Sequence, residues 1–370
     1  MKILALETSC DETAAAVLAI KNSRFNLLSN VVSSQVKIHA KFGGIVPEVA
    51  ARKQMEMVIP VLEQALKQAN SNHQETIFHQ LKSIDYFAVT QGPGLITSLT
   101  VGVETAKTLA FSFNKPLIFV NHLAGHAYSS LLSTNQEQTA NDQTIKFPAL
   151  ALVVSGGHTM LVLMKKNYQF EIIGQTLDDA AGEAFDKVAQ ILNLGYPGGP
   201  IVSRLAACGD RKKYNLPRPM LQQDNFNFSF SGLKTAVLYL LPKLKKNNKN
   251  ISSTIINDLC ASFDQAVVDV LVNKTLRALK KYQAQTFLLG GGVAANPLLR
   301  ATLIKKISQQ FSKTKILIPE LKFTGDNAAM IALAAYFKVK KSGSRIKFGM
   351  TKKIDYKKIK AEPNFKLGRR

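Results

Sequence analysis

The chain has 370 residues, 46% apolar and 20% charged, the balance of an ordinary globular protein with room for two domains and their cores. Its three cysteines, Cys10, Cys208 and Cys260, are too scattered for a disulfide framework or a zinc cluster. With no apolar run of about 18 residues to span a bilayer and a start that is acidic by Glu7, unlike a signal or transit peptide, the expected location is cytoplasmic. The net charge of +23 fits a polyanionic partner such as a nucleic acid and equally a lysine-rich solvated surface.

In chain order, "ILALETSCDETAAAVLAI" alternates between an apolar strand, a polar turn at Ser9 to Glu12 and a second apolar run, which predicts a β-hairpin with a polar tip. "DYFAVTQGPGLITSLTVGVETAKTLAF" follows as strand, glycine turn and helix. "NHLAGH" then sets two histidines four positions apart after the apolar run "PLIFV", and "STNQEQTANDQTIK" is polar and unpatterned, as a linker would be. "ALALVVSGGHTMLVLM" repeats the hairpin, and "QTFLLGGGVAANPLLRATLIKKI" repeats the strand, glycine turn and helix. This recurrence predicts a duplicated α/β architecture with lobes at 1–135 and 148–337. A mostly helical insertion is expected at about 178–282, and a basic tail at 338–370. That tail holds 13 Lys/Arg against Asp355 and Glu362, and "KLKKNNK" at 243–249 is a second basic patch.

Two such lobes leave a cleft beyond the carboxyl ends of their strands, the usual ligand position in open α/β sheets. The turns "GPGL", "SGGH", "YPGGP" and "LGGGVAAN" let backbone approach a ligand and aim N–H groups at phosphate. None is a Walker A loop or a dinucleotide fingerprint; any one alone is more often a tight turn, and it is the four together that point to nucleotide binding. His122 and His126 at i, i+4 share a helix face, a geometry suited to a metal; one capping and one packed histidine is the alternative. A zincin is excluded, because Leu123 stands where H-E-x-x-H needs glutamate. Asp326, before the helical run "NAAMIALAAYF", is either a helix cap or a third ligand brought across the cleft. Asp11 and Glu12 at the first hairpin tip are either solvating turn residues or carboxylates facing the cleft, able to take a proton. Cys10 lacks a neighbouring histidine to activate it.

Together "ETSCDET", "GGIVPEVAARKQ", "GPGLITSLTVGVETAK", "NHLAGHAYS", "LVVSGGHTMLV", "DDAAGEAFDKVAQILNLGYPGGP", "FSFSGLKTAV", "GGGVAANPLLR" and "TGDNAAMIA" resemble the universal tRNA N6-adenosine threonylcarbamoyltransferase family, formerly called O-sialoglycoprotein endopeptidase. The likeness runs from Met1 to about Tyr336 in family order and leaves out the basic tail. It implies the actin-like ATPase superfold of sugar kinases and actin. It also implies one divalent metal, iron first and zinc as the alternative, held by His122, His126 and Asp326. By the same resemblance Val153, Val154, Ser155, Gly156, Gly157, Asp186, Gly199 and Asn296 would hold the donor, threonylcarbamoyl-adenylate, and Asp11 would be catalytic or organising. The implied reaction forms t6A at adenosine 37, beside the anticodon of tRNAs that read codons beginning with adenine. The implied partners are that tRNA stem-loop, an accessory paralogue in a heterodimer and a small P-loop ATPase, with no membrane. A small-molecule kinase or carbamoyltransferase of the same superfold, and a metalloprotease, are the rival activities. Truncation after Phe337 is expected to weaken RNA binding if the tail serves it.

Overall fold

A computed structural model of the chain describes residues 1–70, 75–132, 144–244, 251–341 and 359–368. Most of the linker expected at 133–146, the basic patch at 243–249 and much of the tail lie outside these residues. The first half runs β1 (Lys2–Glu7), β2 (Glu12–Lys21), β3 (Arg24–Ser34), α1 (Val36–His39), α2 (Pro47–Ala69), α3 (Ile77–Ser83), β4 (Tyr86–Gly92), α4 (Ile96–Ser112), β5 (Leu117–Asn121) and α5 (His122–Tyr128). The second runs β6 (Ala149–Val154), β7 (Thr159–Lys166), β8 (Gln169–Gln175), α6 (Ala181–Ile191), α7 (Gly198–Ala206), α8 (Ser231–Leu244), α9 (Ser253–Tyr282), β9 (Thr286–Gly290), α10 (Pro297–Gln310), β10 (Lys315–Leu317) and α11 (Ala328–Lys341).

The two sheets are topological copies. Their strand orders are β3-β2-β1-β4-β5 and β10-β9-β6-β7-β8, so each has a three-stranded antiparallel meander extended by two parallel strands. Between its third and fourth strands the first copy places α1–α3 and the second places α6–α9, the helical insertion.

Strand alternation explains why the central strands read as nearly continuous apolar runs: both faces are covered. Ile3 and Ala5 of β1 face a central core while Leu4 and Leu6 face an outer core under α2 and α4. Likewise Ala149, Ala151 and Val153 of β6 join the central core, and Leu150, Leu152 and Val154 join an outer core built on α6, α7 and α9. The central core is filled by α5 and α11. From Ala328 to Phe337 every residue of α11 is buried, as expected for a helix that is apolar all round. Although α11 belongs to the second half in sequence, it packs on α5, β1 and β2 of the first sheet. No helix among the described residues is long and apolar enough to cross a membrane.

Part of the segment expected as a basic tail packs on the rest of the protein. Helix α11 carries the chain on to Lys341, and residues 359–368 return as a strap over the first lobe. There Glu362 N donates to the Gln91 carbonyl at 2.8 Å, Gly94 N to the Pro363 carbonyl at 3.1 Å, and Asn121 Nδ2 to the Phe365 carbonyl at 2.8 Å. Gly92 is required here, because a Cβ would collide with the Glu362 carbonyl. Leu367 is buried in the central core. Truncation after Phe337 would therefore remove structure as well as charge.

Candidate active site

Both histidines sit at the point where β5 becomes α5. Asn121 caps this short helix, its Oδ1 accepting from Leu123 N at 3.0 Å and Ala124 N at 3.3 Å, which fixes the first turn and with it the direction of His122. On its other side α5 is pressed against β9: a Cβ on Gly290 would meet the His126 carbonyl oxygen. His126 is fully buried and His122 is 6% exposed.

Asp326 reaches this pair from the turn before α11. The cap of that helix is Asn327, whose Oδ1 accepts from Met330 N at 3.0 Å, so the Asp326 carboxylate is left to face the histidines. Its Oδ1 lies 3.1 Å from His126 Nε2 and 3.5 Å from His122 Nε2. One ligand atom from each of the three residues lies within 4.8 Å of the others. Ligands about 2.0–2.1 Å from a tetrahedral ion stand about 3.3 Å apart, so the spacing matches a shared cation. His126 Nδ1 is buried with no hydrogen-bond partner, and its Nε2 faces Asp326 Oδ1 at 3.1 Å.

Electrostatics point the same way. Burial is the largest influence on His122 and opposes its protonation, but Asp326 and Glu7 outweigh it and lift its pKa to about 9. For Asp326 burial again leads in the opposite direction, yet His122 and His126 hold the carboxyl well below the usual range. The cluster without metal is thus a charged pair awaiting a cation in place of a proton.

A second carboxylate supports the first, and the sequence reading passed over it. Glu7, the last residue of β1, is fully buried. It accepts from Ser9 N at 2.6 Å and from the Thr90 hydroxyl, and its Oε2 lies 3.2 Å from His122 Nδ1. Ser9 Oγ is 3.1 Å from the same nitrogen. A carboxylate on the far nitrogen fixes the tautomer and leaves Nε2 as the ligating atom.

Beside this cluster a cavity of about 670 Å³ opens between the lobes. Of the residues expected at the site, Asp11, His122, Ser155, Gly156, Gly157, Asp186 and Asp326 line it, while His126 lies behind His122. Val153 and Val154 do not reach it: strand alternation sends their side chains into the two cores, and the chain emerges only at the hairpin tip. Gly199 and Asn296 are not among the residues that line it. The Gly198 N–H donates to Asp186 Oδ1 at 2.8 Å, and the Gly199 N–H also serves that carboxylate, partly offsetting the rise in pKa that burial imposes. Asn296 caps α10 through Leu299 N at 2.9 Å and donates to Ser203 Oγ at 2.9 Å and to Asp264 Oδ1 at 2.6 Å. Cys10 also lines the cavity, and burial and then Asp11 push its thiol well up, away from the thiolate form. His158, quoted in the sequence only as part of a turn, lines the cavity too; burial and the charges of His122 and His126 lower its pKa to about 4.

Comparison with known proteins accords with this geometry. The profile described as tRNA N6-adenosine threonylcarbamoyltransferase matches residues 26–333. The protein of that name from Listeria monocytogenes serotype 4b is 48% identical over 344 residues, covering 92% of this chain and 93% of that one. The Bacillus subtilis protein of the same name is 48% identical over 334 residues, covering 90% and 89%. Among solved structures, HypF of T. kodakarensis aligns with a TM-score of 0.57 at 13% identity over 92% of this chain. This chain spans 48% of that structure, and at such low identity the likeness concerns the fold, the actin-like ATPase superfold. With the family profile and relatives at nearly half identity over nine-tenths of its length, the chain belongs to the tRNA N6-adenosine threonylcarbamoyltransferase family.

Proposed function

We propose that this chain transfers the threonylcarbamoyl group of threonylcarbamoyl-adenylate to N6 of adenosine 37 in tRNAs that read codons beginning with adenine, in the cytoplasm. The observation that carries the reading is the convergence of His122, His126 and Asp326 beside a two-lobed cavity, in a chain of this family. The donor is a mixed anhydride and already activated. The acceptor amine is a poor nucleophile, because its lone pair is delocalised into the ring. Catalysis therefore rests on positioning and on a more electrophilic carbonyl.

Two imidazoles and one carboxylate suit ferrous iron and also zinc; iron is our first assignment. Bound there, the cation supplies Lewis acidity toward a donor oxygen. The chain's own residues do the rest. Glu7 holds His122 with Nε2 toward the cluster. The exposed glycines at 156 and 157 offer backbone to the donor phosphate, and Asp186, fixed by the start of α7, receives a donor hydroxyl or amine. As the N6–carbon bond forms and the carbon–phosphate-oxygen bond breaks, Asp11 accepts the amine proton and adenylate leaves. A protease reading finds no support, since Leu123 is buried where a general base would have to stand.

An accessory paralogue and a small P-loop ATPase are proposed as protein partners on the ground of family membership. The test is reconstitution. The protein and these partners are incubated with unmodified tRNA, threonine, bicarbonate, ATP and an adenylate-forming enzyme. Mass spectrometry should find threonylcarbamoyl on adenosine 37; an unmodified position under conditions where the adenylate accumulates would refute the assignment.

A further inference from the structure

The cavity described above is acidic. Asp11, Glu12, Glu183, Asp186 and Asp326 line it, with Lys187 the one Lys or Arg among the described residues, and Lys187 is engaged by Asp179 at 2.6 Å and Glu183 at 2.7 Å. With a cation held by Asp326, this cavity has the character of the donor's place. Yet a bimolecular transfer needs the acceptor nucleotide at the same point, with reacting atoms about 3–3.5 Å apart.

A second cavity, of about 820 Å³, abuts the first and shares Pro93, Gly94 and His158 with it. Among the described residues no Asp or Glu lines it, and Lys366 is on its rim. One wall is β8 with Asn227; the other is the C-terminal strap, which offers Asn364 and the half-buried ring of Phe365. The strap is held in place independently of any ligand: Asn121, whose Oδ1 caps the histidine helix, grips the Phe365 carbonyl with its Nδ2, Gly94 N grips Pro363, and Leu367 is buried. An aromatic ring, side-chain amides and one cation, free of carboxylates, form the surface on which an unstacked base is read. A flipped nucleotide fits the volume, whereas a duplex does not.

We infer that this second cavity receives the flipped purine nucleotide of the acceptor RNA, stacked on Phe365 and met by Asn227 and Asn364, so that its amine arrives at the His158 and Gly94 boundary opposite the donor. The inference rests on the proposed function. It assigns the strap a specificity role that its basic composition alone does not carry.

The test uses the full-length protein with its partners and a tRNA anticodon stem-loop carrying 2-aminopurine at position 37. Wild-type protein should change the probe's fluorescence on binding. Phe365→Ala and, off the strap, Asn227→Asp, which keeps the Oδ1 that accepts from Gln175 N at 3.1 Å and removes the amide donor, should each weaken RNA binding and raise KM for tRNA by ~10-fold, with affinity for a non-hydrolysable donor analogue and the melting temperature unchanged. Wild-type KM in both variants would overturn the inference, as would donor affinity falling in parallel with RNA affinity, which marks the strap as structural. Absence of any transfer by the wild-type protein would instead count against the proposed function.

Discussion

Replacing Glu7 by Gln probes the hidden half of the metal centre. The carboxylate serves three groups: Ser9 N at 2.6 Å, the Thr90 hydroxyl, and His122 Nδ1 at 3.2 Å. Glutamine keeps one oxygen, and Ser9 N will claim it. The amide NH2 then faces His122 Nδ1, donor against donor, unless the imidazole moves its proton to Nε2. That nitrogen is the one turned to Asp326, so the altered tautomer places a proton where a cation must bind. A hydrogen bond to a charged group is worth about 1.5–3 kcal/mol. Loss of a carboxylate behind a ligating histidine typically lowers metal affinity 10–100-fold, or about 1.4–2.7 kcal/mol, so the two routes agree. The assay is titration of zinc or ferrous iron into metal-stripped protein against a competing chelator, with a thermal melt of the same sample. Glu7→Gln should bind at least ~10-fold more weakly while still melting cooperatively. Unchanged affinity in a folded variant would refute the reasoning.

Two further substitutions test the surrounding structure. Gly290→Ala forces a methyl group against the His126 carbonyl, so β9 and α5 must separate; a loss of about 1–3 kcal/mol in unfolding free energy is expected, together with weaker metal binding, and an unaltered melting temperature would contradict it. Asp264 is raised to about 6, chiefly by burial and against the pull of its hydrogen bond with Asn296. The folded state therefore binds this proton more tightly than the unfolded chain between about pH 4 and 6. Across that window the group costs progressively more stability as pH rises and its carboxylate forms, and below it the cost is gone. Asp264→Asn should thus shift its urea midpoint upward relative to wild type by more at pH 7.5 than at pH 4.5; an equal pH response in both proteins would disprove the link.

Much of the architecture was legible because it is written in local periods. The two hairpins and the two strand, glycine and helix units each carry their own alternation and turn chemistry, and both sheets follow from them. The histidine pair was legible as one face of a helix. Asp326 was legible as a candidate, named by the family resemblance, but its position before an apolar helix left a cap and a ligand equally open; in the structure Asn327 takes the capping duty. Glu7 was hidden at the end of an apolar strand, where its importance depends on partners 83 and 115 positions away. The strap was hidden for the same reason: a short polar and basic stretch declares its charge, while its anchors on Gln91, Gly94 and Asn121 lie 244 to 271 residues back along the chain. Val153 and Val154 illustrate the converse, because a motif shared with a family marks the neighbourhood of a site without saying which way each side chain turns.

The most direct test of the central claim, that transfer depends on a cation shared by His122, His126 and Asp326, bypasses the ATP-consuming steps. Chelator-treated protein with its partners is given preformed threonylcarbamoyl-adenylate and unmodified tRNA, with and without added ferrous iron or zinc, and adenosine 37 is analysed by mass spectrometry. The account predicts no transfer without metal, restoration when metal is added to the wild-type protein, and none in a His126→Ala, Asp326→Ala double variant that still binds the donor. Full transfer by the metal-free enzyme or by that variant would contradict it.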